Sequence, residues 1–429
     1  MKYEKTSIPI LILFCIFIYP VMFKSSTILS YAYQYGIPLF YVALNINFVK
    51  RISKKQLLII SCLVILLFFS VLYPTLHNSG DYTYIKVSSF VFRKLVVYLF
   101  LIIVLVKKYK EHTRIEHFMY YYILVHVMFV IGTLLLVLIP NLKYLWFSLF
   151  SEVNDSEAFL EAYGYTFRIG WQGFAGYRMT LHCTWCCIFL LYMYYACETR
   201  YRLKENIFLI AYAICFLGNM FYGRVGLVLS IVMSLIAVLV WNRKHFLRIL
   251  QFTIIAVVLI YGIYLLRRQP IISDWYTWMS RPLINLITEG RFNNYSVDRL
   301  KEMVFLPEWD TILFGDGFFM QDTHYYERTD SGIMRNILFW GILGAVISYG
   351  VTFYSLLDLK KKNFLMWLLM IGTLVVFEYK GDAYYEFIAL MFAISFIENA
   401  VIERYSGKYK EMLTIRESLG KKRKEIVNG

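Results

Sequence analysis

The sequence predicts an all-α protein threaded through a membrane about twelve times, within bounds of roughly ten and fourteen. Three observations carry this. Apolar runs, each long enough to cross a hydrocarbon core as a helix, recur along the 429 residues. Hydrophobic side chains make up 59% of the chain and the mean hydropathy is +0.56, which does not describe a soluble protein of this length. Lysine-rich breaks separate alternate pairs of runs, the pattern of helices that enter and leave a bilayer in turn. Residues 1–429 read as a single membrane domain.

Spans are expected at 8–23, 28–49, 57–74, 88–106, 118–139, 179–197, 206–222, 225–241, 249–266, 336–357, 364–379 and 384–402. The first lacks a small-residue cleavage site and is followed at once by a second, so it reads as a span and not as a signal peptide. The second is interrupted by Gly36 and Pro38. The breaks "KRISKK", "KKYKEHTR", "TRYRLKEN", "NRKHFLR" and "LKKKN", with the basic tail 403–429, are assigned to the cytoplasm, and both termini with them. All seven cysteines lie in or beside apolar runs, where a thiol acts as a small hydrophobe, so "HCTWCC" at 182–187 reads as helix surface and not as a metal box. His126 and His182 read as hydrogen-bonded residues of the helix bundle.

Of the 44 basic residues, 27 fall on the inner side and 17 on the outer. Lys outnumbers Arg 18 to 9 inside, whereas Arg outnumbers Lys 11 to 6 outside. Topology therefore accounts for the net charge of +15, and no nucleic-acid partner is implied. Guanidinium grips phosphate and carboxylate through a planar fork where an ammonium offers a point charge, so an Arg-rich outer face suggests an anionic ligand there.

Two outer segments are long enough to be functional parts, 140–178 and the large loop 267–335 between the ninth and tenth spans. Their aromatic content argues against disorder. Within the second, Val297, Leu300, Met303 and Val304, closed by Pro307, predict a short amphipathic helix over 296–307. "FGDGF" at 314–318 predicts a tight turn. Asp330 or Ser331 is placed to cap the next helix. Arg224, in "FYGRVGLVL", lies within a residue or two of apolar runs on both sides, where the default reading of a guanidinium is a functional site.

The elements "GR…Y…L…P…LFGDG" at 290–317 and "DSGIMRNILFWGILGAV" at 330–346, with Gly341 and Gly344 spaced Gly-x-x-Gly, resemble the bacterial O-antigen polymerase and ligase superfamily. "YGRVGLVLS" at 222–230 looks like that family's Arg-containing hinge. Ligases of the superfamily usually carry a His-Asn pair where this chain has Asp330 and Ser331, so the resemblance favours a Wzy-type polymerase of repeat units for O-antigen, capsule or exopolysaccharide in a bacterial plasma membrane. Its substrate would be a polyprenyl-diphosphate-linked oligosaccharide, its partners membrane lipid and separate chain-length regulator and flippase proteins.

The implied reaction moves a growing chain from its diphosphate onto a hydroxyl of the next lipid-linked unit and needs no cofactor. Cations must meet the leaving diphosphate: Arg224 and Arg291 first, with Arg299, Arg335, Arg168 and Arg178 in reserve. Asp330, His324, Asp322 or Glu327 would serve as base, and Arg291, Asp330 and His324 are the expected catalytic set. Trp171, Trp275, Trp278, Trp309, Tyr325 and Tyr326 are available as sugar platforms. Asp316, Asp322 and Glu327 form no DxD motif, which favours Arg over a metal ion. Glu378, Lys380, Asp382 and Glu386, beside the last outer turn, either bind acceptor sugar, or Glu378 and Lys380 merely pair with each other at the rim. The alternatives are a ligase-type transferase and a flippase or transporter of the same lipid-linked units. A transporter predicts charges deep within the spans, which look poor in them.

Overall fold

A computed structural model describes residues 7–49, 52–151, 168–198, 202–241, 261–262, 264–265, 270–290, 302–321 and 324–398. In chain order these form α1 (Ile8–Ile18), β1 (Met22–Phe23), α2 (Thr27–Tyr31), a π turn at Ala32–Gly36, α3 (Ile37–Leu44), α4 (Ile46–Val49), α5 (Lys54–Leu76), α6 (Tyr84–Tyr109), α7 (Ile115–Leu138) and α8 (Pro140–Leu149). β2 (Phe150–Ser151) pairs antiparallel with β1, and β3 (Ile169–Gly170) with β4 (Gly173–Phe174). Then come α9 (Tyr177–Leu191) with a π extension to Ala196, α10 (Glu205–Tyr222), α11 (Arg224–Trp241), α12 (Pro270–Glu289) and α13 (Trp309–Phe314). A hairpin, β5 (Met320–Gln321) and β6 (His324–Tyr325), leads into α14 (Gly332–Lys362), α15 (Phe364–Lys380) and α16 (384–398).

Among the described residues seven helices, α5, α6, α7, α9 with its extension, α10, α11 and α14, are long and apolar enough to cross a membrane. Their uncovered faces agree. α5 exposes Leu57, Leu58, Val64 and Phe68, and α11 exposes Val228, Ile231, Val232 and Leu235. Such a bare aliphatic row is stable against lipid and not against water. The protein is a mostly helical, membrane-embedded chain.

Polar chemistry marks the helix ends. Ser53 and Gln56 form a reciprocal capping box at the start of α5, and the Asn363 side chain accepts from the Met366 N–H at 2.9 Å to start α15. Lys107 and Lys108 end α6, and Lys360, Lys361 and Lys362 end α14, where cations complement the helix dipole. Lys55 pairs with Asp358 and Lys362 with Glu116, both at 2.9 Å, tying α5, α7 and α14 together on this lysine face.

α9 is the central helix, packed against α7, α10, α11 and α15. Small residues let its neighbours approach. A Cβ on Gly223 would lie 2.8 Å from Thr180 Cγ2, and one on Gly226 would lie 2.1 Å from Thr180 Oγ1. The "YGRVG" hinge thus presses the start of α11 onto α9 and fixes where Arg224 stands.

α14 is broken at Gly341, whose φ of 65° and ψ of −169° are not helical. The break frees carbonyls near Leu338 and Phe339, and the "FGDGF" turn takes them up: Asp316 N–H donates to Leu338 O at 2.6 Å and Gly317 N–H to Phe339 O at 3.3 Å. Gly315 and Gly317 both have a φ of +68°. This contact carries the following hairpin to the top of α14.

Several elements differ from the sequence reading. The expected span at 28–49 is helical from Thr27 to Leu44 but passes through a π turn at Ala32–Gly36, just before Pro38, which has no N–H to give to the preceding turn, and it breaks at Asn45 ahead of α4. Residues 270–289, read as outer loop, form a 20-residue helix; Ile272, Trp275, Met279 and Leu286 have helical spacing. Of the helix expected over 296–307, residues 296–301 lie outside the described residues, and the chain from Met303 to Glu308 is not helical. Most of the expected span at 249–266, and all of the tail 403–429, lie outside them too.

Candidate active site

A cavity of about 480 Å³ opens between α1, α6, α9, the hairpin and the turn joining α15 to α16. Arg93, Lys94, Arg178, Arg335 and Lys380 bring side-chain cations to its wall, and Asp330, Asp382 and Glu386 bring carboxyls. Its volume lies in the range of small-ligand sites.

Two of the guanidiniums are held between aromatic rings. Arg335 lies 4.2 Å from the Phe319 ring centre and 3.8 Å from that of Tyr325, with Asp382 at 4.0 Å. Its Nε has no hydrogen-bond partner among the described residues. Arg178 lies 4.9 Å from Phe90 and 5.4 Å from Tyr385, and its Nε donates to the Tyr385 hydroxyl at 3.0 Å. Stacking fixes the plane of each fork before an anion arrives. Arg93 stands 5.3 Å from Tyr35 and 5.5 Å from Phe90.

The rings around Arg335 are positioned from a distance. Asp81, in the α5–α6 loop, accepts the backbone N–H groups of Phe319 and Met320, both at 2.6 Å, and Ser79 Oγ donates to Gly317 O at 2.7 Å. Burial alone would raise the Asp81 carboxyl, but the N–H groups of Met320, Thr83 and Phe319 and the Thr83 side chain hold it below its ordinary value. A carboxylate depressed in the folded state adds stability that is present above its unfolded pKa of about 3.9 and is lost as the pH falls through the folded value. Asp81→Asn is therefore expected to lower the melting temperature of the purified protein at neutral pH. The gap to the native protein should narrow as the pH drops from about 6 towards about 3; a gap independent of pH would rule out the carboxylate as the brace.

A second network sets the α15–α16 turn. Glu378 accepts from Ala383 N–H at 2.6 Å and from the Tyr349 hydroxyl at 2.8 Å. Asn336 donates to that hydroxyl at 2.8 Å and accepts from Tyr84 at 2.5 Å. Gly332 fits against it, since a Cβ there would lie 2.3 Å from Glu378 Oε2. The turn thus presents Asp382 to Arg335. Burial pushes the Asp382 carboxyl up, and the guanidiniums of Arg335 and Arg178 pull it back.

The floor of the cavity is buried and polar. Lys94 is bonded to Glu386 Oε2, and His182 Nε2 stands 3.7 Å from the same oxygen. His182 Nδ1 meets the Tyr122 hydroxyl at 2.5 Å. His126 Nδ1 lies 2.6 Å from Tyr122 O, a carbonyl that only accepts, so Nδ1 carries a proton there, and Nε2 is hydrogen-bonded to the Tyr19 hydroxyl.

The sequence candidates divide. Arg178, Arg335 and Asp330 face the cavity. Ser331, not Asp330, occupies the N-cap position of α14, and its side chain makes no capping bond. Arg168 and Arg224 are outside the wall but close enough to act electrostatically on Lys380, as Asp330 does. His324 is exposed on β6 and is not a wall residue. Arg291, Arg299 and Asp322 lie outside the described residues. Of the expected sugar platforms, Tyr325 lines the cavity, Trp171 packs 4.8 Å from Phe129, and Trp309 is exposed. Glu378 is buried in the network above and does not pair with Lys380.

Arg93, Lys94 and His182 are the basic wall residues the sequence reading passed over as site members. The first two lie in the expected span 88–106, and a basic pair inside an apolar run is the signal that marks them. Among the described residues no three His, Cys, Asp or Glu side chains converge to hold a metal ion, and the positive charge facing the cavity belongs to Arg and Lys. Compared with family models, curated proteins and solved structures, the chain matches none of them.

Proposed function

We propose that this protein is a polysaccharide polymerase that joins polyprenyl-diphosphate-linked repeat units at the extracytoplasmic face of a bacterial plasma membrane. The observation that carries this reading is the wall of the cavity: five side-chain cations, two of them guanidiniums stacked between rings, stand with carboxyls and tyrosines inside a membrane-embedded helix bundle. Such a wall suits a ligand with an anionic diphosphate, hydroxyl-bearing sugars and a lipid tail. Apart from Val97 and Tyr98, at the middle of their span, the wall residues fall in what the lysine pattern assigns as outer loops and outer halves of spans, with both termini cytoplasmic. The energy of transfer resides in the anomeric diphosphate bond. The arginines would stabilise charge on the leaving diphosphate without a metal ion.

A flippase or transporter of the same lipid-linked units is the second reading. The Lys94–Glu386 pair and His182 favour it, since ionisable groups within membrane helices also mark transport pathways.

A strain lacking the gene separates the readings. Single repeat units with no longer chains are expected for a polymerase. Lipid-linked units trapped on the cytoplasmic side would point to a flippase, and long unattached chains to a ligase. Normal polymer would overturn all three.

A further inference from the structure

We propose that Glu386, on the cavity floor, is the group that receives the acceptor sugar's hydroxyl and takes its proton. This rests on the polymerase reading and names the base within it.

Glu386 is 1% exposed and belongs to the cavity wall. Its two carboxylate oxygens differ. Oε2 is occupied by Lys94, with His182 Nε2 beyond it. Oε1 is buried and has no hydrogen-bond partner among the described residues. A buried acceptor without a donor is costly, and a carboxylate can only accept, so the ligand that satisfies Oε1 must offer a proton. Everything else charged on the floor only donates: Lys94 is bound to Oε2, and Arg178 lies close enough to act electrostatically on Glu386 while stacked on Tyr385. A diphosphate satisfies the guanidiniums but has no hydroxyl for Oε1. A sugar hydroxyl does, and a lipid-linked glycan brings both.

His182 and Lys94 keep the carboxylate in place. If the Tyr122 hydroxyl donates to His182 Nδ1, the neutral ring has its proton on Nε2, facing Glu386 Oε2. Oε1 is then left as the reactive atom. Asp382, four residues earlier, also has both oxygens buried without a hydrogen-bond partner among the described residues, but it faces two guanidiniums, Arg335 at 4.0 Å and Arg178, and Asp330 stands exposed on the loop side of the wall.

The step balances as follows. The acceptor oxygen forms a bond to the donor's anomeric carbon as the bond from that carbon to the diphosphate oxygen breaks. The electron pair of the broken bond leaves with the polyprenyl diphosphate, facing Arg178 and Arg335. The acceptor's hydroxyl proton passes to Glu386 Oε1 and is returned to the departing diphosphate or to water.

The test uses the full-length protein in liposomes, supplied with lipid-linked units extracted from the deletion strain, and measures chain lengthening and binding of radiolabelled undecaprenyl diphosphate. Glu386→Gln is expected to slow lengthening by at least ~100-fold while binding of the diphosphate lipid changes less than about threefold. Formate is expected to restore part of the rate to Glu386→Ala, as it replaces a missing base but not a missing brace. Lys94→Met/Glu386→Gln removes both charges together and guards against loss of fold from an unpaired lysine; it is expected to be equally slow. Lengthening within about fivefold of native by either Gln variant overturns the inference and leaves the polymerase reading standing. Failure of the native protein to lengthen the units overturns the reading itself.

Discussion

Replacing Arg335 with lysine is expected to slow polymerisation by about two to three orders of magnitude while the protein stays folded. The substitution keeps the charge, so Asp382, 4.0 Å away, still faces a cation and no buried carboxyl is stranded. What disappears is the planar fork, held between Phe319 at 4.2 Å and Tyr325 at 3.8 Å. A guanidinium fixed by two rings is already oriented when the leaving diphosphate gains charge, whereas a lysine must give up rotamer freedom at that moment. The measurement is the rate of chain lengthening by purified variants in liposomes. Arg328→Lys is the matched control, because Arg328 is exposed outside the cavity and its replacement should leave the rate nearly unchanged. Rates for Arg335→Lys within about fivefold of native would remove the bidentate role assigned to this residue.

How much of this site is legible in the sequence depends on whether a residue's neighbours are local. Arg178 and Arg335 stand at the outer ends of apolar runs, so the excess of Arg over Lys on that side points to them. Arg93, Lys94 and Glu386 are harder. They lie inside or beside runs whose hydropathy hides them, and their meeting depends on α6 packing beside the α15–α16 turn, which no spacing in the chain encodes. His324 illustrates a different obstacle. Neighbours on a strand face opposite ways, and in β6 it is Tyr325 that lies over Arg335 and lines the cavity, while His324 does not. Which of the two points inward depends on the register of a two-residue hairpin braced by Asp81, some 240 residues away in sequence. The membrane class, by contrast, follows from composition and run length alone, because every apolar helix must satisfy its own backbone in lipid. Charged stretches blur that rule: 270–289 carries Asp274, Arg281 and Glu289 and still forms a helix.

The Gly-x-x-Gly at Gly341 and Gly344 was legible as a pattern, but its physical role emerges only from the fold, and it supports the strongest expectation about stability. Gly341→Ala is expected to destabilise the protein by about 3–5 kcal/mol. A φ of 65° with a ψ of −169° belongs to a region only glycine enters without strain, at a cost of about 1–3 kcal/mol for any other residue. The added Cβ would also lie 2.5 Å from Leu313 O and 2.8 Å from Gly315 N, both backbone atoms with little room to move. Relief of that clash would pull the "FGDGF" turn away from α14 and break the bonds from Asp316 N–H and Gly317 N–H, each contributing about 0.5–1.5 kcal/mol. Since the same turn leads to Phe319, the lost stability and the loosened Arg335 stack should appear together. Gly350→Ala in the same helix provides the contrast: a Cβ there meets nothing within 4 Å, so it should be neutral or stabilising by about 0.5–1 kcal/mol. Apparent melting temperatures at one fixed scan rate would decide the matter, and equal values for the two alanine variants would mean that the break at Gly341 does not hold the loop to the helix.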